Sequence, residues 1–167
     1  PQSDIYRIYV DFQPFGAIEQ QMAFTIPVGN IAGSQFATQQ PDKHLTKQFG
    51  NYFVSLSTNG PLKASDMSVG QQKLTFTLYD AKKHIPLKNL QPYLAAFGHL
   101  VMISENSYDY LHVHPANLVA PKPTDTSGPT IDFLPIGIYG PFKPGIYRAF
   151  AQFNPDGNLF TADFTIK

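Results

Sequence analysis

The stretch IYRAFAQFNPDGNLFTADFTI, residues 146–166, decides how this chain is to be read. It reads as strand, turn, strand, with Pro155-Asp156-Gly157 supplying the turn. An earlier stretch, IYRIYVDFQPFGAIEQQMAFTI at residues 5–26, aligns with it over its whole length with one single-residue gap. There Tyr6, Ile8, Val10 and Phe12 alternate with Ile5, Arg7, Tyr9 and Asp11, the two-residue period of a strand. Hairpins share such a pattern without being related. The two stretches share more: Ile-Tyr-Arg at the start, Pro-x-Gly in the middle and Phe-Thr-Ile at the end, which points to duplication. Residues 1–27 are therefore expected to form an N-terminal β-hairpin, the closing hairpin of an upstream repeat. A two-stranded hairpin alone is marginal in water. Its apolar face is accordingly expected to lie on the domain that follows, with the intervening segment as a strap.

That segment, residues 28–50, has no clear period and is rich in Gln, Thr, Gly and Asn, so it reads as a linker or long loop. Strand signals follow at residues 52–58, 73–80, 98–104, 108–114 and, more weakly because of Pro135, 130–136. One short helical turn is expected in NLQPYLAAFG, residues 89–98, with Pro92 at a first helical position. With 15 prolines, 12 glycines and no long helical period, the economical fold is all-β. Residues 51–167 are expected to form an antiparallel two-sheet sandwich, immunoglobulin-like or cupredoxin-like in layout. The antibody-type core is absent, since the chain has neither Trp nor Cys.

Composition removes several classes of function. Lys plus Arg equals Asp plus Glu at 12 each, and no run of like charge exists, so nothing attracts a nucleic acid or an anionic membrane surface. Absence of cysteine excludes disulfides, thiol catalysis, thiolate metal sites and the Cys-centred blue-copper site. No apolar run approaches the ~20 residues of a membrane-spanning helix.

Chemistry concentrates in YLHVHP, residues 110–115. Three of the chain's five histidines, His99, His112 and His114, fall within one short window. Residues two apart on a strand share a face, so His112 and His114 point the same way. If Ile103 pairs with Tyr110 across the polar turn Glu105-Asn106-Ser107, His99 comes opposite His114, and three imidazoles converge as a copper or zinc site requires. A slip of one residue would dissolve the cluster. On its own an HxH pair on a strand is more often structural than ligating, and Pro115 could serve only to end the strand. Asp109 and Glu105 read as solvated, and Met102 faces away from His99. His44, in the linker, reads as solvated too. Cupin sites need a glutamate and another histidine after HxH. Copper–zinc superoxide dismutases need several further histidines downstream. Neither set is present, and no Gly-x-Ser-x-Gly, His-Glu-x-x-His or P-loop motif occurs.

Residues 90–115, LQPYLAAFGHLVMISENSYDYLHVHP, with the GIYRAF that opens at Gly145, resemble a family of bacterial secreted or periplasmic proteins of unassigned biochemistry. Their corresponding segment reads LQPYLGAxGHLV…YLHVHP. Ala95-Ala96-Phe97 departs from its Gly-containing run. The resemblance covers nearly the whole chain. It implies a periplasmic or secreted location, association with copper or other heavy-metal handling, a paired repeat, and His99, His112 and His114 as the family's repeated histidines. Together these readings lead to an expected non-enzymatic metal-binding module for sequestration or transfer. Copper is the expected ion, with zinc as the alternative. The other reading is a metal-free β-sandwich that binds a protein partner or acts as a spacer.

Overall fold

The computed structural model describes residues 2–18, 20–31, 39–60, 72–105, 108–116, 120–135 and 143–167. Their regular elements are ten strands: β1 (Asp4–Phe12), β2 (Gln20–Val28), β3 (Thr46–Phe49), β4 (Tyr52–Thr58), β5 (Leu74–Asp80), β6 (His99–Ser104), β7 (Tyr110–Val113), β8 (Thr130–Phe133), β9 (Tyr147–Phe153) and β10 (Phe160–Ile166). They fall into two units, residues 1–38 and 39–167.

The first unit is the expected hairpin. β1 and β2 pair antiparallel, with Tyr6 opposite Ile26, Ile8 opposite Phe24 and Val10 opposite Met22. Directly opposed residues project to the same side of a sheet, so these six side chains share one apolar face. The Ala17 N–H donates to the Pro14 carbonyl at 3.0 Å to close the turn. Gly16 takes a left-handed φ of 73°, which a side chain would resist.

The second unit is a sandwich of two four-stranded antiparallel sheets, β10-β9-β6-β7 and β3-β4-β5-β8. Strict alternation builds it. In β5, Leu74, Phe76 and Leu78 are buried while Thr75 and Thr77 lie between them on the outer face. In β9, Tyr147, Ala149, Ala151 and Phe153 are buried and Arg148, Phe150 and Gln152 are not. The layers meet on rings. Phe76 of β5 lies 5.7 Å from Phe153 of β9 and 5.9 Å from Phe164 of β10, centroid to centroid. It also packs edge-on against Phe133 of β8 at 5.6 Å. Ala149, Ala151 and Ala162 leave room for these rings from the facing sheet, the large-against-small packing that fills a core without strain. Each buried Phe contributes roughly 1.5–3 kcal/mol over an exposed one.

Two local differences from the sequence reading have physical causes. β3 lies within residues 28–50, where the sequence has no period; four residues, Thr-Lys-Gln-Phe, are too few to display one. The expected helical turn in residues 89–98 is absent. Tyr93 and Ala96 instead exchange backbone hydrogen bonds of 2.8 and 3.1 Å, and the two residues between them, Leu94 (φ 47°) and Ala95 (φ 63°), are both left-handed. Consecutive left-handed residues make a hairpin-type reverse turn and cannot begin a right-handed helix. The 130–136 signal forms a strand over Thr130–Phe133. Asn106, Ser107 and Ile136 lie outside the described residues.

Candidate metal centre

The inner and outer faces of β6 divide its chemistry. Leu100 and Met102 point inward and are fully buried in the core, so His99 necessarily faces the other side. Pairing of β6 with β7 sets Ile103 opposite Tyr110, Met102 opposite Leu111 and Val101 opposite His112. Continued by two residues beyond Val101, the same register carries His99 to His114. Val113, between the two histidines, is buried in the core, which fixes both imidazoles on the outer face.

The three rings converge. Centroids are separated by 5.6 Å for His99 and His112, 5.4 Å for His99 and His114, and 4.9 Å for His112 and His114. One nitrogen from each lies within 4.8 Å of the other two, and His99 Nδ1 is 3.3 Å from His112 Nε2. Two nitrogens bound to one ion at ~2.0–2.1 Å and a tetrahedral angle stand about 3.3–3.4 Å apart. That pair therefore already has the spacing of a shared ion. A nitrogen of exposed His114 completes the set within 4.8 Å.

His99 is the anchor. It is 7% exposed, and its Nε2 lies 2.8 Å from the Tyr93 carbonyl. A carbonyl only accepts, so Nε2 carries the proton and donates it, leaving the Nδ1 lone pair for the centre. The Tyr93 ring also stands edge-on to His99 at 6.0 Å. Burial, the largest cause, holds the His99 pKa below its ordinary value, with the neighbouring His114 adding to the effect and the Tyr93 carbonyl opposing it. A neutral imidazole with one nitrogen fixed by a carbonyl is the form that ligates metal. The left-handed turn at Leu94 and Ala95 is what brings the Tyr93 carbonyl to this position.

His114 lines a surface cleft of ≈ 460 Å³ together with Leu94, Ala95, Phe97, Pro115 and Asp132, so the centre has an open side. Among the described residues the cluster contains no carboxylate. Asp109 instead pairs with Lys143 at 3.1 Å, and Met102 is in the core. His44 is exposed, and His84 stacks with Phe53 at 5.9 Å. All three histidines singled out in the sequence thus come together, and the residue missed was Tyr93. Its part is played by a main-chain oxygen, which leaves no residue-type signature.

No curated protein and no solved structure matches the chain. Residues 47–167, a span that holds all three histidines and nearly all of the sandwich, match the model of a domain of unknown function (DUF8832), and the chain belongs to that family.

Proposed function

We propose that this domain is a non-enzymatic, extracytoplasmic metal-binding module in which His99, His112 and His114 bind one ion for sequestration or transfer. The observation that carries the reading is the convergence of three imidazole nitrogens within 4.8 Å on a rigid sheet. All-nitrogen, neutral donors favour Cu(II) over harder ions and over zinc, in keeping with the Irving–Williams order; zinc is the alternative. Three protein donors leave a position for water or for a ligand from a partner, and the cleft beside His114 gives access to it. The extracytoplasmic location rests on the resemblance of residues 90–115 to secreted and periplasmic proteins. Against a metal-free interaction or spacer module stand the ring separations of 4.9–5.6 Å, which such a role does not require.

Calorimetric titration with Cu(II) and with Zn(II) tests the proposal. One ion should bind per chain, and binding should vanish when His99, His112 and His114 are all changed to Ala. Because His99 is buried, the exposed His114→Ala variant provides a second reading that leaves the fold intact, and it should weaken the site roughly tenfold or more. Stoichiometric binding that survives the triple substitution in a folded protein overturns the assignment.

A further inference from the structure

The N-terminal hairpin repeats the C-terminal one in register as well as in sequence. The residues aligned with the Tyr6–Ile26, Ile8–Phe24 and Val10–Met22 pairs are themselves paired in β9 and β10: Tyr147 with Ile166, Ala149 with Phe164 and Ala151 with Ala162. Both turns close on a proline carbonyl, from Ala17 to Pro14 at 3.0 Å and from Asn158 to Pro155 at 2.9 Å. Both carry a left-handed glycine, φ 73° at Gly16 and 76° at Gly157. They differ at the residue before that glycine, left-handed at Asp156 only.

Burial is where the copies part. Tyr147, Ala149, Ala151, Phe153, Ala162, Phe164 and Ile166 are 0–5% exposed, covered by the rings of the facing sheet. Their counterparts Tyr6, Ile8, Val10, Phe12, Met22, Phe24 and Ile26 are 38–48% exposed. A contiguous apolar face of this kind on two strands calls for a cover. The second copy of the hairpin, in the same molecule, shows what such a cover is. It is a four-stranded sheet like β3-β4-β5-β8, with a strand like β6 paired to the far edge of the hairpin's first strand.

Size decides which sheet that is. Ile8, Val10 and Met22 stand where β9 and β10 have alanines. Ala149, Ala151 and Ala162 are all fully buried, so larger side chains in their places would overpack a core filled to close-packed density. Residues 39–167 also close their own core with β9 and β10. The β3-β4-β5-β8 sheet of this domain, from the same chain or from a second copy, is thus the wrong mould. We propose that β1 and β2 close a different sandwich of the same fold, carried by chain N-terminal to β1, and that their exposed face is half of its core. The facing sheet carries smaller side chains where this domain has phenylalanines.

Amide hydrogen exchange tests this on residues 1–167 and on the polypeptide its gene encodes upstream. That addition should span roughly a hundred residues, the length of this sandwich before its closing hairpin. In residues 1–167 alone, β1 and β2 amides should exchange ~100-fold or more faster than those of β9 and β10. In the extended chain both hairpins should be protected alike. Ile8→Asp should then remove protection from β1 and β2 and leave β9 and β10 unchanged. Three outcomes overturn the proposal: protection of β1 and β2 in monomeric residues 1–167, which means cover by residues 39–167; protection that accompanies a dimer in sedimentation, which means a second copy; or no protection in the extended chain.

Discussion

His99 has both ring nitrogens engaged, one by the Tyr93 carbonyl at 2.8 Å and one by His112 Nε2 at 3.3 Å. What holds the carbonyl in place is a turn whose two central residues, Leu94 and Ala95, sit at positive φ without being glycine. A left-handed L-residue costs roughly 1–2 kcal/mol, of which glycine's greater unfolded-state entropy returns part on substitution. Ala95→Gly should therefore stabilise the fold by about 0.5–1 kcal/mol in urea denaturation, with metal stoichiometry unchanged. A loss of stability would mean that the side chain at position 95 does more than tolerate its turn.

β6 depends on the glycine that precedes it. A Cβ at Gly98 would lie 3.0 Å from Phe153 Cε1 and 3.2 Å from Phe133 Cζ, two rings fully buried in the core. Gly98→Ala should cost about 1–3 kcal/mol by overpacking, and should also weaken metal binding because His99 is the next residue. Calorimetric melting alongside metal titration reads both. The β6–β7 register followed from the sequence on one condition, Ile103 opposite Tyr110 across the short polar turn, and the strands pair that way; a slip of one residue would have turned His99 away from His112 and His114. β9 and β10 were legible because their alternation is clean and their turn carries Pro and Gly. β3 was not, since Lys47 and Gln48 give no apolar period over four residues. Nor was the turn at Leu94 and Ala95, because those two residue types carry no turn signal; NLQPYLAAFG instead has the composition of a helix start.

The sandwich is tied across its layers by polar contacts as well as by rings. Asp42, before β3, accepts the Thr165 N–H of β10 at 2.8 Å and the Lys47 ammonium at 2.9 Å. Lys47 also donates to the Asp163 carbonyl at 2.9 Å and lies 5.1 Å over the Phe164 ring. Burial pushes the Asp42 pKa up, but the Lys47 and Thr165 hydrogen bonds outweigh it and hold the carboxyl below its ordinary 3.8. A depressed carboxylate stabilises the fold fully above the unfolded-state value. As pH falls the unfolded chain binds the proton first, so the contribution drains away below about pH 5 and is gone under the folded pKa. Urea midpoints measured from pH 6 to 3 should fall less steeply in Asp42→Asn than in the unsubstituted chain; equal slopes would show that Asp42 makes no such tie.

All of this scaffolding holds three imidazoles on one outer face, and electron paramagnetic resonance tests that centre most directly. With one equivalent of Cu(II) at neutral pH, the chain should give a single copper spectrum with superhyperfine splitting from imidazole nitrogen, and the splitting should disappear when His99, His112 and His114 are replaced by Ala. A spectrum without nitrogen splitting, or one that the triple substitution leaves unchanged, would contradict the account.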